Sequence, residues 1–194
     1  MVYVIIVLAL LFIIVPIVAV LPSVRQKEQM VMRKVARQAG VIVDLATIDD
    51  PNPRQEKYIS ATGRPVPPNL KVIAYRLHRQ RERTQREQPR LTWCIQKREA
   101  SQQPVGARDV PKEGGSYWHW VTGPVEKRPL LRDWVEAAVG DLPHDVEQVE
   151  ESNQLISVYW HERENGSESA VIDFLKQCAS LPLSQADADP DDGV

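Results

Sequence analysis

Hydrophobic residues form one long run at the start of the chain. Residues 2–22 carry no charge, and within them only Tyr3 and Pro16 interrupt a series of Val, Ile, Leu, Ala and Phe. A helix needs about 20 apolar residues to cross the hydrocarbon core of a bilayer. In lipid the backbone must also satisfy its own hydrogen bonds, which favours a helix. The pattern therefore predicts a transmembrane helix with a kink at Pro16.

A cleaved secretory signal is the competing interpretation of this run. Such a signal begins with positive charge, has an apolar core of about 7–15 residues and ends at a small-residue cleavage site. Here no Lys or Arg precedes the apolar residues, and the run is longer than such a core. The sequence therefore favours a retained anchor.

A basic helix is predicted directly after the anchor. Ser23 and Gln26 form a capping box, and Gly40 is a typical residue at which a helix stops. One face carries the apolar residues Val24, Val31, Val35 and Ala39, and the other faces are basic.

The rest of the chain alternates between the two-residue period of strands and the longer period of helices. Strands are predicted at 40–48, 70–78, 90–98, 116–121, 145–150 and 155–162, and helices at 129–139 and after a cap at Ser167. A Pro-rich irregular loop is predicted at 49–69, and a Gly/Pro-rich connection at 100–115. Two hairpins are predicted: 70–78 with 91–98 around a long basic tip, and 145–150 with 155–162 around Ser152-Asn153.

The order of these elements predicts an α+β fold with a mainly antiparallel sheet and two or three helices, because most connections are too short for parallel crossovers. Four segments result: a transmembrane anchor at 1–22, a basic juxtamembrane helix at 23–40, an α+β domain at 41–182 and a disordered acidic tail at 183–194.

Charge is distributed unevenly, although the formal net charge is only −2. Arg25, Lys27, Arg33, Lys34 and Arg37 follow the anchor, whereas only the α-amino group precedes it. The positive-inside rule then predicts a single-pass inner-membrane protein with its N-terminus outside and its C-terminal domain in the cytoplasm. Basic residues are concentrated at 71–99 and acidic residues at 141–194, a segregation that affects partner choice.

The sequence contains no recognisable catalytic, metal-binding or nucleotide-binding motif. Cys94 and Cys178 lie in apolar stretches, so both are expected to be buried, reduced thiols. The four histidines form no HExxH or HxH arrangement, and the chain has no Gly-rich nucleotide loop. We therefore expect no cofactor and no metal site, and an enzyme is the less favoured class.

Six arginines in and after the second predicted strand are candidates for contact with a partner or with anionic lipid: Arg76, Arg79, Arg81, Arg83, Arg86 and Arg90. The alternative is a solvated hairpin tip. Nucleic acid is not expected as a partner, because no nucleic-acid-binding motif accompanies the basic run.

The segment Trp118-His119-Trp120 is the second candidate contact. In a strand the two tryptophans share one face and His119 takes the other. Such a pair could form an aromatic platform for a partner, because Trp is enriched in interface hot spots. The alternative, which the sequence favours, is core packing with one exposed ring.

The first 40 residues resemble the small auxiliary subunit of the bacterial preprotein translocase, the YajC type. The resemblance lies in one apolar span, a Pro at its cytoplasmic edge and a basic, Gln-rich helix, here residues 21–27 and the helix that follows. It covers about a fifth of the chain and ends at Gly40. It implies an accessory subunit of an inner-membrane complex, and no functional residue is carried over from it.

The leading hypothesis is a bacterial single-span membrane protein with a cytoplasmic protein-binding domain, an accessory or assembly subunit of an unidentified membrane complex. It contacts the bilayer through residues 2–22. A membrane-anchored enzyme with a dispersed active site beside Trp118-His119-Trp120, and a surface sensor of anionic lipid that uses residues 76–90, are the alternatives.

Overall fold

The computed structural model describes residues 23–80, 91–99, 110–112, 116–123, 129–164 and 166–181, together with the isolated residues 3, 4, 6 and 12. The predicted span at 2–22 lies almost wholly outside these residues, and the predicted tail at 183–194 lies outside them entirely. Among the residues described, no helix is both long enough and apolar enough to cross a membrane.

The described residues form an α+β fold, as the sequence predicts. Its elements are α1 (Val24–Gln38), β1 (Ile42–Asp49), β2 (Asn69–His78), β3 (Thr92–Glu99), β4 (Val110–Lys112), β5 (Ser116–Thr122), α2 (Pro129–Ala138), β6 (Val146–Ser152), β7 (Leu155–Trp160) and α3 (Glu168–Ser180). The strands form one sheet in the order β1-β2-β7-β6-β3-β5-β4. Every neighbouring pair in it is antiparallel.

The hairpin between β6 and β7 is confirmed, but its turn lies one residue later than the predicted Ser152-Asn153. Its two turn residues, Asn153 and Gln154, have φ angles of 52° and 70°. Positive φ at both central residues defines the type I′ turn, whose twist matches that of the paired strands. The register places Ser152 opposite Leu155 and Val149 opposite Val158.

The predicted hairpin of residues 70–78 with 91–98 is wrong. β2 pairs with β1 and β7, and β3 pairs with β6 and β5, so the β6–β7 hairpin separates them in the sheet. The reason is burial, because Ile156, Val158 and Trp160 make β7 apolar enough to occupy the centre. Alternation along a strand specifies which face is buried but not which strand lies beside it. β4 is a further difference, since it falls within the predicted 100–115 connection.

The core lies on the sheet face that the helices cover. Large side chains of five different strands meet there without exposure: Tyr75, Trp93, Trp118, Val149 and Trp160. α2 contributes Leu131 and Val135, and α3 contributes the predicted stripe of Val171, Phe174, Leu175 and Cys178. The tryptophans thus act mainly as core residues.

α1 buries a different face from the apolar one that the sequence indicates. Met32 and Ala36 reach the core, whereas Val24, Val31 and Val35 lie exposed. The rotation of the helix follows from two contacts on the buried side: Met32 enters the core, and Arg33 pairs with a buried carboxylate of Glu162. The core-facing side of α1 is therefore the side that carries Met32, Ala36 and Arg33.

One predicted helix cap is confirmed and one is wrong. At the start of α1 the Ser23 backbone N–H donates to Gln26 Oε1 at 2.9 Å, and the Gln26 N–H donates to Ser23 Oγ at 3.3 Å. Ser167 stands before α3, but its hydroxyl donates to the Glu164 carbonyl at 2.7 Å and accepts nothing from the helix. A serine in helical backbone geometry cannot turn its oxygen toward the first N–H groups.

Candidate functional site

The candidate arginines divide into two described residues and four that lie outside the described part of the chain: Arg81, Arg83, Arg86 and Arg90. Arg76 is half-buried on β2, with Nη1 at 3.7 Å from Asp44 Oδ2 on β1. Its guanidinium carbon lies 6.0 Å from the centre of the Tyr159 ring. Arg76 therefore already has partners within the sheet.

Arg79 is buried in an ion pair with Glu151. Its Nε donates to Oε1 and its Nη2 to Oε2, both at 2.7 Å, which is the bidentate geometry in which arginine binds a carboxylate most strongly. Trp93 Nε1 adds a third donor to Glu151 at 2.8 Å. Neither ionic side chain reaches the surface, so Arg79 is a structural residue here.

The same guanidinium also holds the C-terminal end of α3. Nη1 donates to the carbonyls of Cys178 at 2.8 Å and Leu181 at 3.3 Å, which are groups that a helix end leaves unsatisfied. Burial alone would lower the pKa of Arg79, but hydrogen bonding and the charge of Glu151 outweigh it and raise that pKa. Arg79 thus joins β2, β6 and α3 in one charged interior cluster.

The aromatic candidate is mainly a packing element. Trp118 is fully buried, while Trp120 is half-buried and donates from Nε1 to Glu136 Oε1 at 3.0 Å. The rings of Trp93 and Trp120 meet edge to face, with centroids 5.9 Å apart. His119 is half-buried on the opposite face, where the register sets it beside Gln96.

A second buried carboxylate, Glu162, fixes α1 to the domain. Arg33 Nε lies 2.9 Å and Nη2 2.6 Å from Glu162 Oε2, and Tyr75 Oη donates to Oε1 at 2.9 Å. The hydrogen bonds that Arg33 donates to Glu162 are the main reason why the pKa of Arg33 is raised. Burial, together with the charge of Glu162, raises the pKa of Tyr75 strongly. Arg33 itself stays partly exposed.

The sheet face opposite the helices carries a row of polar side chains. Gln96 Nε2 donates to Gln148 Oε1 at 2.8 Å, Gln148 Nε2 donates to Glu150 Oε2 at 2.9 Å, and Tyr159 Oη donates to Glu150 Oε1. Burial, and then the bond to Glu150, raises the pKa of Tyr159 to about 12. These four side chains are therefore linked to one another by hydrogen bonds.

A cleft of about 520 Å³ lies in the loop between β1 and β2. Its lining is mostly apolar: Pro53, Tyr58, Ile59, Pro65, Val66 and Pro68. Beside it Asp50 accepts from Tyr58 and from Lys57 Nζ, the latter at 3.0 Å. Burial opposes ionisation of Asp50, but these bonds and the Asn52 N–H hold its pKa below the ordinary value.

The described residues contain no group of three or more His, Cys, Asp or Glu side chains that could hold a metal ion. Burial raises the pKa of both the Cys94 and the Cys178 thiol to about 12, so neither is an activated nucleophile. Both cysteines are free and buried, as the sequence predicts.

The outer side of α1 exposes several apolar side chains. Val24, Met30, Val31 and Val35 lie there, with Val31 57% and Val35 40% exposed. Three exposed basic side chains accompany them: Lys27, Lys34 and Arg37. We call these seven residues the α1 outer face.

Sequence reasoning missed the residues that bind this helix and α3 to the sheet. Arg79 and Glu151 each continue the core-facing alternation of their strand, after Leu77 and Val149 respectively. A charged residue at a core-facing position next to apolar neighbours was therefore the available signal. Glu162 has no such signal, since it follows the end of β7 in a backbone with φ of 51°.

Comparison of the chain with protein-family models, with curated proteins and with solved structures finds no match.

Proposed function

We propose that the chain is a single-span inner-membrane protein whose α+β domain binds another protein, as an accessory or assembly subunit of a membrane complex. The observation that carries this proposal is the α1 outer face. α1 is held to the domain through Met32, Ala36 and Arg33, yet it presents exposed valines on another side.

Those valines have the spacing of a helix-binding stripe. Val24, Val31 and Val35 stand at i, i+7 and i+11, and apolar residues at such intervals line one side of a helix. A stripe of this kind is usually buried against another helix or groove. Because α1 is already packed on its Met32 side, a protein partner is the group that would cover the valines.

The position of α1 in the chain adds to the proposal. It follows the apolar residues 2–22, so a partner that covers it lies close to the proposed anchor. The exposed basic residues of α1 agree with a cytoplasmic placement of the domain, since positive residues stay on that side. The partner is then a membrane protein or a protein held at the membrane.

Photo-crosslinking in cells tests the proposal. A crosslinking amino acid replaces Val31 in the tagged full chain, and products are identified by mass spectrometry after purification in mild detergent. We expect one specific protein at Val31 and none at Leu130, an exposed apolar residue of α2 that serves as the matched control. Equal patterns at both positions, or no product at Val31, would contradict the proposal.

Anionic lipid is a second candidate ligand of the same face. The observation that favours it is the basic set Lys27, Lys34 and Arg37 beside the exposed Met30, which suits a helix lying on a charged bilayer surface. In nanodiscs, a fluorophore at Met30→Cys should then be quenched by lipid-borne quenchers more strongly with anionic than with neutral lipid. Equal quenching with both lipids excludes this role.

A further inference from the structure

The two edges of the sheet differ in how they are protected. β4 forms one edge, is only three residues long and contains Pro111 and Lys112, the residue types with which proteins blunt an exposed edge. β1 forms the other edge and has eight residues without Pro, Lys or Arg. Within the part of the chain that the structure describes, no strand pairs with the outer side of β1.

The outer edge of β1 can be assigned residue by residue. The Asp50 N–H donates to the Pro68 carbonyl at 2.7 Å, which continues the β1–β2 ladder by one pair. Bonded pairs alternate along an antiparallel ladder, so the even-numbered residues of β1 bond to β2. The backbone groups of Val43, Leu45 and Thr47 therefore point outward.

The side chains of β1 are also exposed. Leu45, at the middle of the strand, is 84% exposed, and Ile42 is 43% exposed. Asp44 lies 3.7 Å from Arg76, so its charge is partly balanced within its own chain. A regular edge that lacks Pro, Lys and Arg and exposes a Leu at its middle is a template for a further strand.

We propose that β1 pairs antiparallel with β1 of a second copy of this chain, around a two-fold axis at Leu45. In this register Leu45 faces Leu45 of the second copy, Val43 faces Thr47, Ile42 faces Ile48 and Asp44 faces Ala46. Two-fold symmetry makes each contact occur twice. Val43, Leu45 and Thr47 exchange N–H and C=O groups across the axis, and the sheet continues through both copies.

Self-complementarity identifies the second copy as the occupant. A slip by one residue would place opposite faces together, so only slips by two remain. Moving one way sets Asp44 against Asp44 of the second copy, and like charges directly opposite are destabilising. Moving the other way sets Val43 against Asp49 and Asp44 against Ile48. The Leu45-centred register pairs Leu45 with Leu45 and Ile42 with Ile48, and it sets Asp44 against neither Asp44 nor Ile48 of the second copy.

A cysteine pair tests this register in the full chain in mild detergent. Facing residues of a bonded pair have Cα atoms about 5.5 Å apart. Thr47 and its symmetry mate are offset by about four residues along the strand, roughly 14 Å at 3.4 Å per residue. A disulfide needs Cα atoms within about 7 Å. We expect mild oxidation to cross-link Leu45→Cys and to leave Thr47→Cys uncross-linked.

The other outcomes of this experiment overturn the proposal. Equal cross-linking of both variants indicates random collision, cross-linking of Thr47→Cys alone indicates another contact, and no cross-linking indicates that β1 does not self-pair. The native thiols of Cys94 and Cys178 are buried, so they add little background.

Particle mass provides a second measurement that does not depend on cysteine. Light scattering should show a dimer for the wild-type chain and a monomer for Leu45→Lys and Thr47→Pro. Thr47→Pro removes an outward N–H and leaves the β1–β2 ladder intact, as edge positions allow. Leu130→Lys is the matched control and should stay dimeric. A monomeric wild-type chain overturns the inference, which concerns a surface separate from the α1 outer face.

Discussion

Glu151 and Glu162 are both buried carboxylates bound by an arginine, but their cations are in different places. The side chain of Arg79 is 1% exposed, whereas that of Arg33 is 31% exposed. Water can therefore replace part of the second ion pair and none of the first. The two helices are thus attached in different ways. α3 is held by an ion pair in the interior, and α1 is held by an ion pair that reaches the surface.

The same difference has an energetic meaning. A buried ion pair pays a large desolvation cost for both charges, and losing one partner strands the other in a medium that cannot solvate it. With one partner at the surface, only the loss of the exposed cation strands a charge. The two pairs should therefore respond differently when each partner is removed in turn.

The largest effect is expected at the fully buried ion pair of Arg79 and Glu151. Arg79→Met and Glu151→Gln should each lower the free energy of unfolding by about 3–5 kcal/mol, because either change leaves a buried group without its partner. Urea unfolding of the full chain in mild detergent, followed by tryptophan fluorescence, measures this. Arg76→Met, three residues before Arg79 and on β2, is the control and should cost less. Losses below about 1 kcal/mol in both variants, as at an exposed ion pair, would show that water reaches Arg79 and Glu151.

The partly exposed pair should give unequal results for its two partners. Arg33→Met leaves the Glu162 carboxylate with the Tyr75 hydroxyl as its side-chain donor and should cost about 1–3 kcal/mol. Glu162→Gln frees Arg33 to turn to solvent and should cost less than Arg33→Met. The same unfolding measurement compares them. Equal losses would mean that Arg33 is as enclosed as Arg79, and the contrast between the pairs would disappear.

The stability at alkaline pH tests whether water reaches the buried cluster around Arg79, because Cys178 lies in that cluster. The pKa of Cys178 is raised to about 12, so the folded state keeps the thiol proton that the unfolded state releases near pH 9. The stabilisation is complete below pH 9 and is lost as the pH rises toward 12. Replacing Cys178 by Ala should reduce this slope, by up to about 1.4 kcal/mol per pH unit. An unchanged slope in urea unfolding at pH 9–11 contradicts the burial of Cys178.

The smallest effect is expected at an ion pair on the surface, Arg54 with Glu99. Arg54 Nη2 lies 2.7 Å from Glu99 Oε1, and both side chains are in contact with solvent. Exposed ion pairs contribute about 0–1 kcal/mol and are screened by salt. Arg54→Gln should therefore change the free energy of unfolding by less than about 0.5 kcal/mol. A larger loss would show that Arg54 holds the loop between β1 and β2 in place.

The spacing of apolar residues along the sequence was enough to locate most of the strands and helices. Leu91, Trp93 and Ile95 alternate and are buried together, and the stripe of α3 has the helical spacing that the sequence shows. Strand neighbours could not be read in this way, because a buried strand such as β7 is compatible with several partners. The β6 strand adds a second difficulty: a bulge between Val146 and Gln148 shifts its alternation, so Val146 and Val149 share one face.

The candidate contacts show a different limit. A run of arginines such as 76–90 indicates positive charge but not whether a given side chain is buried. Arg79 is buried because it hydrogen-bonds to Glu151 and to the carbonyls of Cys178 and Leu181. Those partners are distant in the sequence. The outward face of α1 was missed for the same reason, because the rotation of a helix depends on contacts made far along the chain.

The insertion of the β6–β7 hairpin between β2 and β3 has a consequence for synthesis. β1 can pair with β2, and β3 with β5, as soon as each pair has left the ribosome. The inner edges of β2 and β3 then stay unpaired until residues 146–160 are synthesised. At about 5–20 residues per second, this happens seconds after the synthesis of β3. During that interval two apolar strand edges lie open on one nascent chain. The sheet is therefore completed from its middle, by the described strands that are made last.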